Sequence, residues 1–230
     1  MLSKTIICCF FVMFFWWGGS AQNTKDAGSW ITFSLQKTIT KKINLAIDQE
    51  LRLKENFQRV NLFYTNIGID YKISKNIKIS PSYRSIQKKR FEPGFSYRHR
   101  FMLDVTLKKK ISSITLSERV RYQAEVQDYF SSRKGYIPEH YLRFKTDLKC
   151  NALDKITPYI SCELRYQLTA PRGDDPFYNY GFHRVRNVAG IEYKINDNNS
   201  LNLYYLIQSE FDISNKESIY IVGLGYNLSI

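Results

Sequence analysis

The hydrophobic and polar positions of this chain repeat every two residues from residue 30 to the C-terminus. Between Lys42 and Lys54, Ile43, Leu45, Ile47, Leu51 and Leu53 alternate with Asn44, Asp48, Glu50, Arg52 and Lys54. Between Phe95 and Lys108, one set is Phe95, Tyr97, His99, Phe101, Leu103, Val105 and Leu107. The other is Ser96, Arg98, Arg100, Met102, Asp104, Thr106 and Lys108. A helix would bring its apolar residues round every three to four positions. Alternation sustained over a dozen residues predicts strands. Eleven segments of this kind are predicted, at 30–37, 42–54, 60–73, 77–88, 95–108, 114–125, 142–149, 160–168, 184–195, 201–210 and 220–230.

The segments are long for a soluble sandwich, whose strands run to ~5–6 residues. Their connections alternate as well. Short turns lie at 74–76, 108–110, 151–155 and 196–200, and longer polar and aromatic links at 89–94, 127–139, 169–181 and 212–217. Short connections on one side and long ones on the other are the habit of outer-membrane barrels. The predicted fold is therefore all-β: an antiparallel, up-and-down transmembrane β-barrel in the cell outer membrane. An even strand number is expected when both ends of the barrel chain lie on one side. A twelfth strand near Asn23–Trp30 or in a long link, or the merger of two segments, would restore parity. The expectation is ten to twelve strands.

The polar face decides what such a barrel encloses. It carries Asp48, Glu50, Arg52, Arg84, Arg98, Arg100, Asp104, Arg119, Arg121, Glu125, Arg143, Glu163, Arg165, Arg184, Arg186, Glu192 and Glu210. On the apolar face, Glu118 and His99 are the exceptions. Long side chains of both signs can fill a closed, wet interior in ion-paired layers. The pairs Arg98/Arg100, Arg119/Arg121 and Arg184/Arg186 each project to one side of a strand. Structurally they are half of an ion-pair network. Functionally they form a cationic ladder for anions. Arginine outnumbers acid around Arg98, Arg100, Arg119 and Arg121, so unpaired guanidinium groups are expected in that sector. Tyr64, Tyr71, Tyr83, Phe95, Tyr97, Tyr141, Tyr159, Tyr193 and Tyr226 lie near segment ends, where membrane barrels carry aromatic girdles.

Composition refines this picture. Among 230 residues, 34 are Lys or Arg and 21 Asp or Glu, a formal charge of +13. The partners this implies are outer-membrane lipid, lipopolysaccharide and small anionic solutes. Export argues against nucleic acid. The basic runs Lys88-Lys89-Arg90 and Lys108-Lys109-Lys110 are expected on opposite rims. Residues 1–21 read as a signal peptide: Lys4, an apolar stretch from Thr5 to Trp17, then Gly18-Gly19-Ser20-Ala21. The barrel domain is then 22–230. Cys150 and Cys162 sit at positions that a β-hairpin would not bring together, so no disulfide is expected. No metal-ligand spacing and no cofactor motif occurs.

Enzyme signatures are weak. His140 follows Glu139 at a strand end, and His183 follows the loop with Asp174 and Asp175. The leading expectation is a narrow, weakly anion-preferring channel or a structural envelope protein; a rim site acting on envelope lipid or glycolipid, with His183 beside Ser131 or Ser132, is the alternative. The Arg-Gly-Asp tripeptide at 172–174 arises easily by chance.

Several short motifs, in their order, carry a resemblance. They are Trp30 opening the first strand, Glu50-Leu51-Arg52, Tyr83-Arg84, Arg98 with Arg100, and Arg119-x-Arg121-x-Gln123. Arg143-Phe144-Lys145, Pro158-Tyr159 followed by Glu163, Arg186 with Gly190 and Tyr193, and Gly223-x-Gly225-Tyr226 complete the series. The mature chain resembles the outer-membrane barrel family known as domain-of-unknown-function family 2490, common in Bacteroidota. The resemblance implies a barrel and the outer membrane, and brings no activity with it.

Overall fold

The computed structural model describes residues 24–90, 94–127, 138–169, 181–212 and 216–230. Residues 1–21, read above as a signal peptide, the Arg-Gly-Asp tripeptide, Asp174, Asp175, Ser131 and Ser132 lie outside them. Eleven strands form: β1 (Thr24–Thr38), β2 (Ile43–Lys54), β3 (Arg59–Lys72), β4 (Ile77–Lys89), β5 (Phe95–Ile111), β6 (Ile114–Gln127), β7 (Glu139–Cys150), β8 (Ile156–Gln167), β9 (Gly181–Lys194), β10 (Asn199–Glu210) and β11 (Glu217–Ser229). They close into one barrel, each strand paired with its sequence neighbours. Each segment of two-residue alternation lies within or largely overlaps one strand. In chain order, the strand number is the count of alternating segments, and parity is resolved differently from either expectation. Among the described residues, no separate twelfth strand forms before Trp30. Residues from Thr24 onward extend β1, which pairs in parallel with β11 from Thr24↔Glu217 to Gln36↔Ser229. An odd number of strands can close only if one seam is parallel. The remaining ten pairings are antiparallel.

The turns at 39–42, 73–76, 112–113, 151–155 and 195–198 fall at one end, and three of them are built alike. Thr40, Ser74 and Asn196 each accept, through the side-chain oxygen, backbone N–H groups two and three residues ahead. Such side-chain turns are what Ser, Thr and Asn offer a hairpin. At the other end, Glu55, Asn56 and Phe57 take left-handed backbone conformations. The Asp26 carboxylate on β1 accepts the N–H groups of Glu55 and Asn56 at 3.1 and 3.2 Å, which anchors that tight reversal. Lys88 and Lys89 lie toward this end, Lys108–Lys110 toward the opposite one.

The period of two sorts the side chains into two walls. The outer wall carries exposed apolar residues around the barrel, including Ile31, Ile67, Phe101, Leu103, Leu203 and Leu224, with Phe101 and Leu203 both 56% exposed. Glu118 and His99, both on this wall, are satisfied locally. Glu118 accepts the Thr146 hydroxyl at 2.7 Å, and His99 Nδ1 lies 2.6 Å from the Tyr83 hydroxyl. Cys150 and Cys162 are free. They lie on neighbouring strands, and Cys162 stands opposite Thr146 rather than Cys150.

Candidate functional site: an arginine-rich lumen

The inner wall encloses a cavity of about 1040 Å³ to which all eleven strands contribute. Thirteen Lys and Arg side chains line it, against six Asp and Glu. Of the charged residues singled out from the sequence, Asp48, Glu50, Arg52, Arg84, Arg98, Arg100, Arg119, Arg121, Glu125, Arg143, Glu163, Arg165, Arg184 and Arg186 line the cavity. Asp104 and Glu210 are held behind the arginines they pair with, and Glu192 pairs with Lys149 at 2.8 Å.

All of these ion pairs but Arg52–Glu50, which lies within β2, run between strands. Arg121 grips Asp104 with two hydrogen bonds, 2.6 and 2.7 Å. Glu125 accepts from Arg98 at 3.1 Å and from Arg100 at 2.9 and 2.6 Å. Glu163 takes three arginines from three strands: Arg119 at 2.7 Å, Arg143 at 2.5 Å and Arg186 at 3.4 Å. Arg184 pairs with Glu210. Arg52 pairs with Glu50 at 2.5 Å, and the Thr32 hydroxyl donates to the other oxygen of that carboxylate. Charge-assisted, often bidentate bonds of this kind fix the planar guanidinium group in position.

The expected location of the unpaired arginines is corrected here. Arg98, Arg100, Arg119 and Arg121 all reach a carboxylate. Asp104 lies on β5 directly opposite Arg121, and Glu125 on β6 directly opposite Arg100, so this sector supplies its own acids. Two other lumen arginines lack a carboxylate partner among the described residues. Arg84 lies 3.7 Å over the ring of Tyr64, and its Nε donates only to Asn66 Oδ1 at 3.4 Å. Arg165 lies 4.7 Å from the Tyr141 ring centre and donates from Nε to His183 Nε2 at 2.6 Å.

Aromatic residues enter the lumen for a reason that spacing near segment ends concealed. Tyr64, Tyr141 and Tyr159 share strand parity with the charged wall and line the cavity; they are not girdle residues. Tyr71, Phe95, Tyr97 and Tyr193 are on the outer wall and exposed. Trp30 holds Arg52 at 3.6 Å and faces Arg186 at 5.4 Å. Tyr204 lies flat against Gly223: a Cβ there would sit 1.9 Å from the ring. Tyr159 covers Gly190 in the same way, 2.7 Å from where a Cβ would be. Glycine is needed at both positions because the backbone itself is the surface on which the ring rests. With Val188, Leu206 and Ile221, these rings form an apolar and aromatic patch on the β8–β11 side of the lumen, beside Arg184 and Arg186 of β9. In an eleven-strand ring, β10 stands across from β4 and β5, which carry Arg84, Arg98 and Arg100.

Glu139 and His140 do not meet at the rim. Glu139 faces inward and lines the cavity, whereas His140 on the next residue faces outward, with Nδ1 2.7 Å from the Tyr122 hydroxyl. His183 is 3% exposed. Both its ring nitrogens are engaged: Nε2 accepts from Arg165, and Nδ1 donates to the Gly181 carbonyl at 3.3 Å.

The sequence profile of a family described as protein of unknown function, DUF2490, matches residues 27–218. The chain belongs to that family. Among solved structures, the NanC porin is similar at a TM-score of 0.53 with 10% identity, covering 89% of this chain and 99% of the porin. The KdgM porin in complex with disordered oligogalacturonate is similar at a TM-score of 0.48 with 13% identity, covering 88% of this chain and 96% of that one. The likeness to NanC shows a shared porin-like β-barrel fold for this DUF2490 member. No curated protein matches the sequence.

Proposed function

We propose that this DUF2490 barrel is an outer-membrane channel, narrow and selective for small anionic solutes. The outer wall supports the membrane setting. An exposed apolar belt this extensive would drive association in water, whereas in lipid it is the matched surface and the closed barrel leaves no unpaired backbone edge. The observation that carries the anion preference is the surplus of lumen cations over carboxylates, thirteen to six along the cavity. A low-dielectric wall bearing one excess sign of charge concentrates the opposite ion. Lumen arginine cannot discard its charge at physiological pH, so the preference is built into the covalent structure.

The test is a reversal potential. Purified barrel inserted into a planar bilayer under a KCl gradient is expected to conduct with chloride as the preferred ion. Neutralising Arg100 and Arg121 to Gln should move the reversal potential toward zero. A cation-selective current, or a sealed barrel, would overturn the reading.

A further inference from the structure

Most lumen arginines are held by carboxylates, which cancel much of the charge they position. Arg84 and Arg165 are held differently. We propose that these two arginines are the oxyanion-binding points of the lumen, and that Tyr64 and Tyr141 are positioning residues that hold them without neutralising them. The proposal rests on the channel reading for the route by which a solute arrives. The binding itself does not depend on conduction.

The argument begins with what each partner consumes. A carboxylate takes the N–H edge of a guanidinium group and adds a negative charge beside it. An aromatic ring takes the flat face, through its quadrupole, and adds no net charge. Arg84 rests 3.7 Å over Tyr64, and among the described residues its only hydrogen bond is the long one from Nε to Asn66. Its two terminal nitrogens have no protein partner among the described residues. Arg165 spends Nε on His183 and its face on Tyr141. Because His183 accepts that bond on Nε2 and donates from Nδ1, it is a neutral partner. The terminal nitrogens of Arg165 are likewise unpartnered among the described residues.

A second observation falls at the same place. Gln167, two residues beyond Arg165 on the same wall and directly opposite Tyr141, is 2% exposed. Its Nε2 donor is buried with no hydrogen-bond partner. Buried donors are nearly always satisfied. An unspent amide donor beside an unspent guanidinium edge is the complement of a planar or tetrahedral oxyanion with two acceptor oxygens. The ligand chemistry is therefore a carboxylate or phosphate group. The Arg84 point has the ring and the free edge without the additional amide.

Isothermal titration of detergent-refolded barrel with inorganic phosphate, and separately with succinate, tests this. Binding to the wild type is expected for at least one of the two, and the tighter one distinguishes a phosphate from a carboxylate site. The Arg84→Gln/Arg165→Gln variant leaves no carboxylate stranded, so it should fold; its Kd is expected to rise about tenfold or more, the value of a hydrogen bond to a charged group. Asp104→Asn/Arg121→Gln, which removes a matched ion pair, should change Kd by less than about threefold on the same scale. Tyr64→Phe keeps the ring and should bind like wild type, whereas Tyr64→Leu should bind like Arg84→Gln. No binding of either anion by wild type, or equal losses in the two double variants, would overturn the proposal. A barrel that binds but carries no current would refute the channel reading and leave the site intact.

Discussion

Leu103→Arg tests which wall faces lipid. Leu103 is the ninth residue of β5, midway along a strand that runs from Phe95 to Ile111. Its side chain is 44% exposed on the outer wall, opposite Pro81 on β4 and Tyr122 on β6. Asp104, the next residue, is 7% exposed and turned into the lumen. An arginine at the middle of a lipid-facing strand costs ~2–4 kcal/mol, falling to ~0–1 near the interfaces. At mid-strand the folded-to-unfolded ratio should therefore drop roughly 30- to 700-fold. Ser96→Arg is the comparison. Ser96 lies on the same strand, on the lumen wall near its end, beside Lys88. The added like charge there costs no more than ~1 kcal/mol. Reversible urea unfolding in phospholipid vesicles measures both. Leu103→Arg is expected to lose at least twice the free energy that Ser96→Arg loses. Equal losses would mean that the assignment of the two walls, and with it the membrane reading, is wrong.

The chain is expected to fractionate with outer membranes and to migrate faster on gels when unboiled; recovery in the soluble periplasm would contradict this. Gly223→Ala should destabilise by ~1–3 kcal/mol, because the new Cβ meets the Tyr204 ring at 1.9 Å. Adding Tyr204→Ala to that variant should recover part of the loss, as read in the same urea titration. Glu163→Gln removes the carboxylate shared by Arg119, Arg143 and Arg186, and should cost about 3 kcal/mol or more. Asp48→Asn, whose carboxylate accepts only from Asn66 at 3.1 Å among the described residues, should cost less; the reverse order of unfolding midpoints would show that Glu163 is not the centre of the network.

Strand positions, wall assignment and the barrel itself were legible because each depends on period two, and period two is written residue by residue. In β5, Arg98, Arg100 and Asp104 alternate with His99, Phe101 and Leu103, and the two walls follow directly. Parity of strand number was not legible. It depends on how the last strand meets the first, and nothing within Thr24–Ser29 distinguishes a β1 extension from a separate strand. The extension forms because Thr24 to Ser29 find partners at Glu217 to Val222, nearly two hundred residues away. The lumen tyrosines were misplaced for a simpler reason. Nearness to a segment end is compatible with either wall, whereas Tyr64 and Tyr141 follow the parity of Asn66 and Arg143 and are turned inward.

The identity of the uncompensated arginines could not be read from local composition, because compensation is a property of register. Arg98, Arg100, Arg119 and Arg121 look overcharged along the chain, yet β5 and β6 are paired so that Arg100 meets Glu125 and Asp104 meets Arg121. Arg84 looks ordinary, and its opposite neighbours are Asn66 on β3 and Arg100 on β4's other flank. Arg165 stands between Arg143 and Arg184. In both rows the place a carboxylate would occupy is taken by an amide or another arginine, and the tyrosine two residues along the neighbouring strand supplies the contact instead. A barrel that needed only to fill its interior could have closed these rows with Asp or Glu, as it does at Glu125, Glu163 and Glu210. Holding two guanidinium groups by ring faces keeps their field in the lumen at the cost of weaker individual contacts, ~0.5–2 kcal/mol for each ring. That exchange lowers stability and leaves two cations uncompensated in the lumen, which links the fold's least expected feature to the anion channel proposed for it.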